Sequence, residues 1–76
     1  MKECQECKEL LDRASEATTR HLEAIGRLQI ATIRQEREDI QALEQAVAEA
    51  RTVRIEAITA CQAHERSHRT VEATAE

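Results

Sequence analysis

The sequence predicts an all-α fold, a two-helix antiparallel hairpin, and three observations carry that prediction. One Gly and no Pro in 76 residues leave little from which to build β-turns, because tight turns need residues that tolerate positive φ or preset it. Ala, Glu, Gln, Arg, Leu and Ile dominate, a helix-forming composition. Apolar residues recur at helical spacing on both sides of a polar run at 34–39, which is the pattern of two amphipathic helices rather than one strand-rich domain.

The first helix is expected over about residues 3–34. With Cys4 as position a of a heptad, the a and d positions are Cys4, Cys7, Leu11, Ala14, Thr18, His21, Ile25, Leu28 and Thr32, none of them charged. Away from that seam, Glu9, Glu16 and Glu23 stand four residues before Arg13, Arg20 and Arg27, the favourable order for i,i+4 pairs worth a few tenths of a kcal/mol each. A seam of period 3.5 favours left-handed supercoiling.

The polar run Arg34-Gln35-Glu36-Arg37-Glu38-Asp39 has no large apolar residue and supplies the turn, with Asp39 as the expected N-cap of the second helix. Neither Gly nor Pro enforces a break there, so one unbroken helix of about 70 residues in an intermolecular coiled coil is the alternative. The second helix is expected over about 40–69. Its seam runs through Ile40, Leu43, Val47 and Ala50, then Ala57 or Ile58, Cys61, His64, His68 and Val71. Arg54 also falls on this line; a local shift of period that turns Arg54 outward and Ile58 inward would avoid an unpaired buried charge, which costs several kcal/mol. The tail from Ser67 is expected to fray after His68 or Val71.

The chain reads as a single helical-hairpin domain over residues 1–76, and without Phe, Tyr or Trp its core is marginal. Scaffolds of this size usually need a metal, a disulfide or a second copy of the chain. Leu10, Ala17, Leu22, Ala24, Ala31, Ile33, Ala46, Val53 and Ile55 lie off or beside the seams, so a homodimer forming a four-helix bundle, or a helical protein partner, would cover them. No apolar stretch is long enough to span a membrane and no secretory pattern opens the chain, so the expected compartment is the cytoplasm. A net charge of −4 and the lack of aromatics argue against nucleic-acid binding. In a reducing compartment three cysteines read as thiolates or metal ligands rather than a disulfide framework.

The metal reading has a specific basis. Cys4 and Cys7 are three apart, and His64 and His68 four apart, so each pair shares a helix face. The point midway between the pairs falls at about residue 36, inside the polar run, so a chain folded there brings both pairs to the open end of the hairpin. Two cysteines and two histidines are the usual company of structural zinc, and two thiolates neutralise the ion. A zinc ion bound by Cys4, Cys7, His64 and His68 is therefore the expected cofactor. Cys61, one turn before His64, reads as a small buried hydrophobe that could exchange with a ligand. A redox role for the Cys4–Cys7 pair lacks the strand–helix setting such motifs have. His21 lies roughly 20 Å along the helix from Cys7, given the rise of 1.5 Å per residue, and reads as a hydrogen-bonded seam histidine. Glu6 and Glu65, beside the ligands, could orient an imidazole.

His64-Glu65-Arg66-Ser67-His68 is also similar to the H-E-x-x-H zinc signature of metalloproteases. That resemblance implies His64 and His68 as ligands and Glu65 as general base for a zinc-bound water. It covers five residues, and four protein ligands would leave no open position for water. The Glu65-x-x-His68 spacing is similar to one element of the carboxylate-bridged di-iron bundles, but helix one has no Glu-x-x-His to match it. The expectation is a small non-catalytic protein with a structural metal. Its alternatives are a metal-free coiled-coil interaction module and, behind that, a zinc hydrolase.

Overall fold

The structure is a computed structural model that describes residues 4–75, with side chains through residue 68. Two helices, α1 (Gln5–Arg34) and α2 (Arg37–Ala75), fold against each other as a hairpin 60 Å long and 16 by 14 Å across. The continuous-rod alternative is thereby set aside. Glu3, the expected first helical residue, and the side chain of Val71 lie outside the described residues.

Helix α1 stops at the end expected from the sequence, and backbone hydrogen bonds show how it stops without glycine. Gln35 takes the left-handed conformation, with φ 58° and ψ 39°. Its N–H donates to the Thr32 carbonyl at 3.2 Å, while the Glu36 N–H reaches the Ala31 carbonyl at 2.9 Å. Those two bonds are the paired closure of a Schellman motif. The Glu36 carbonyl then accepts from the amides of Asp39 at 3.0 Å and Ile40 at 3.3 Å. Helix α2 thus starts at Arg37, three residues before the expected position, because the chain re-enters helix immediately after Gln35. Asp39 is corrected from N-cap to first-turn residue, where with Glu38 it faces the positive end of the helix dipole. At the other end α2 continues to Ala75, past the expected fraying point.

The seam of α1 is rotated relative to the expected one. Ala17 and Ala31 are the buried apolar residues, Leu10 and Ala24 are half-buried, and Leu11 and Thr32 are exposed. Cys4, Cys7, Ala14, Thr18, Ile25 and Leu28 keep half-buried places and His21 is buried, as expected of seam residues. The alanines Ala17, Ala24 and Ala31 recur every seven residues, and a methyl lets the facing helix come closer than a Leu would, gaining dispersion contacts along the whole line. A heptad frame that starts at Cys4 misses that preference by one position.

On α2 the half-buried line is Ile40, Leu43, Val47, Ala50, Arg54, Ala57, Ile58, Cys61 and His64. Arg54 is not turned outward. Its Nη1 donates to Nδ1 of His21 at 3.1 Å, so the buried imidazole supplies the acceptor that makes a seam arginine tolerable. A guanidinium has no acceptor to offer, so in this contact His21 Nδ1 is the accepting nitrogen. The expected change of period is therefore unnecessary: the charge stays on the seam and finds a partner.

Candidate metal centre

The open end of the hairpin gathers Cys4, Cys7, His64 and His68. One ligand atom from each, a thiol sulfur or an imidazole nitrogen, lies within 4.8 Å of every other. Helix α1 begins directly after Cys4, whose carbonyl accepts the first helical bond from the Lys8 amide at 3.2 Å, so Cys4 and Cys7 sit on its first turn. His64 and His68 are adjacent turns of α2. The antiparallel fold brings together residues 60 apart in sequence: Cys4 Sγ lies 3.3 Å from His64 Nε2. His68 Nε2 lies 3.0 Å from the same nitrogen, with the two rings nearly perpendicular at 83°. All the residues expected to meet do meet.

Those distances are informative when set against a tetrahedron. With metal–sulfur bonds of about 2.3 Å and metal–nitrogen bonds of about 2.0–2.1 Å, the edges of a tetrahedral zinc site are about 3.3–3.8 Å. The observed separations bracket that range, and side-chain adjustments of about 1 Å would bring the widest pair into it. Cys4, Cys7 and His64 are half-buried and His68 is exposed, so the cluster lies at the rim of the hairpin and is reachable from solvent.

Protonation in the cluster follows from the same contacts. The hydrogen bond from His64 is the largest influence on Cys4, and with the Cys7 backbone amide and His68 it pulls the thiol from 9.0 down to about 6. His64 is raised in return, chiefly by its bond to Cys4. Cys7 moves the other way, pushed up by burial and then by the neighbouring Cys4. One thiolate is thus preformed at neutral pH, and a bound divalent ion would draw off the second proton.

The other face of His64 is occupied as well. Its Nδ1 lies 3.5 Å from Glu6 Oε2. A carboxylate beside one ring nitrogen helps orient the imidazole, so that a bound ion would take the place of the Nε2 proton that faces Cys4. Glu6 is thus the carboxylate placed beside His64, whereas Glu65 is exposed and outside the cluster. Cys61 is a half-buried free cysteine, also outside the set of four. His21 sits in mid-hairpin bonded to Arg54. The Arg54 contact has no signal in sequence periodicity, which marks Arg54 as a conflict; the opposing His21 on the other seam is the clue.

No family model, curated protein or solved structure matches this chain. Among the described residues, no helix is long and apolar enough to cross a membrane.

Proposed function

We propose that this protein is a small non-catalytic helical hairpin whose open end is tied by a structural zinc ion held by Cys4, Cys7, His64 and His68, and which associates through its remaining apolar surface. The observation that carries the metal reading is the convergence of two thiols and two imidazoles within 4.8 Å, all four of them residue types that ligate zinc, at the open end of the hairpin. The benefit of the ion is mechanical. Closing a loop of about 60 residues removes about 4 kcal/mol of unfolded-state entropy on the disulfide model, and it does so where two helix ends would otherwise open. Four protein ligands fill a tetrahedral zinc, so the ion has no place for a reacting water and the H-E-x-x-H resemblance is assigned no activity. Self-association is supported by what the hairpin leaves uncovered: Leu11, Leu22, Ile30, Ile33, Val53 and Ile55 are each more than half exposed.

The test is the zinc content of untagged protein prepared without chelator, by elemental mass spectrometry against amino-acid analysis, since no Trp or Tyr reports concentration. About one zinc per chain, lost in Cys4→Ser/Cys7→Ser, is the expected result. Protein that stays helical, contains no metal and refuses added zinc would leave a metal-free interaction module in its place.

A further inference from the structure

Beside its buried line, α1 carries a second stripe without charge. Leu11, Ser15, Thr18, Leu22, Gly26, Gln29 and Ile33 follow one another at steps of three and four, which places them on one face over about 33 Å. None is charged. Leu11, Leu22 and Ile33 are 57%, 59% and 81% exposed, so the hairpin itself does not use them. Ile55 of α2 flanks the same face, since Val53, two residues earlier, lines the opposite groove beside Ala17. Gly26 adds an independent sign. A glycine in a helix interior costs about 1 kcal/mol relative to Ala, and here a Cβ would meet nothing within 4 Å, so nothing inside the hairpin asks for its absence.

The stripe is also its own antiparallel complement. Turned about a two-fold axis through Leu22, it sets Leu22 against Leu22 of a second copy, Leu11 against Ile33, Ser15 against Gln29, and Thr18 against the notch at Gly26. Beyond its ends, Lys8 comes level with Glu36 of the second copy's turn, so opposite charges meet there at both ends. An isologous interface requires that each residue meet a partner it tolerates twice over, and this order of residues satisfies that requirement at every pair.

We propose that the occupant of this face is a second copy of the chain, paired α1 to α1 antiparallel about Leu22, with the two metal-binding ends at opposite ends of the dimer. This rests on the self-association in the proposed function and specifies its face and symmetry. Sedimentation equilibrium on Leu11→Glu, on Ile33→Lys and on the double variant tests it, with circular dichroism and metal content confirming that the exposed substitutions leave the hairpin intact. Each single change places a charge against an apolar side chain twice per dimer and should raise the dimer dissociation constant by more than about tenfold. The double variant should dimerise at least about fivefold more tightly than either single one, because the introduced carboxylate of each copy would then face the introduced ammonium of the other at two symmetric places. A parent that stays monomeric at millimolar concentration overturns self-association itself. A parent dimer unaffected by the single changes overturns this face, and a double variant no tighter than the singles overturns the antiparallel pairing.

Discussion

The two ends of the hairpin are held in different ways. At the turn, Gln35 and Glu36 close α1 with backbone bonds to Thr32 and Ala31, and the Glu36 carbonyl opens α2 within the same few residues. All of those partners are local, so their closure entropy is small and no side chain is essential. At the open end, contact depends on side chains from residues 60 apart, Cys4 and His64, with Cys7 and His68 beside them. Bringing such distant residues together carries a large entropic cost, which a ligand bound by all four would offset. The difference teaches that one end is closed by its own backbone, whereas the other is where, on the proposed reading, a bound ion would control the fold.

The sharpest way to break that contrast is to remove the proposed metal. Chelation, or Cys4→Ser/Cys7→Ser, should cost about 4 kcal/mol, which for a chain of this size is a fall in midpoint of about 15–30 °C in a thermal melt. Hydrogen exchange should localise the loss, with amides near residues 5–10 and 60–68 losing protection while those beside the turn keep theirs. Uniform loss along both helices would contradict the two-ended account.

Midway between the ends, the His21–Arg54 bond offers the next largest effect. Arg54→Leu or His21→Leu alone strands a polar partner on the seam and should cost about 1–3 kcal/mol in chemical denaturation. Replacing both with Leu should bring stability back close to the parent, because paired apolar groups leave nothing unsatisfied. A double variant as weak as the sum of the singles would show that the two do not act as a pair.

The turn should respond in the opposite direction. Gln35→Gly removes a side chain from a left-handed position, φ 58°, and should stabilise by up to about 1 kcal/mol, partly offset by the freer unfolded chain. Because the effect is local, it should be the same with and without metal.

The smallest effect concerns the metal-free open end. Cys4 is depressed to about 6, so its contribution is present at high pH and is lost as pH falls through that value. His64 is raised, so its contribution is present below the ordinary imidazole range and is lost as pH rises through its folded value. The thiolate–imidazolium contact is therefore complete only in a narrow window above about 6. Thiolate absorbance, read without interference from Trp or Tyr, should show one cysteine titrating near 6 and should lose that transition in His64→Ala.

Much of this is legible in the residues because helical spacing is local. Cys4–Cys7 and His64–His68 can be placed on faces from spacing alone, and a turn near residue 36 brings them together by symmetry about it. The rotation of the α1 seam toward Ala17 and Ala31 is not legible, because it depends on how closely a second helix can approach, a property of the pair. Arg54 misleads for the same reason: a charge on a seam is a conflict until the residue opposite, here His21, is known. The early start of α2 is hidden because Gln35 performs a cap usually given to glycine, and sequence patterns carry no mark of that substitution.

The central claim is that four side chains of this chain bind one metal tetrahedrally, and cobalt(II) titration of the metal-free protein tests it most directly. The account predicts saturation at about one cobalt per chain with the intense visible bands of a tetrahedral ion and thiolate charge-transfer absorption, both displaced by zinc and both lost in Cys4→Ser/Cys7→Ser. The weak spectrum of a six-coordinate ion, or bands that survive loss of both cysteines, would contradict it.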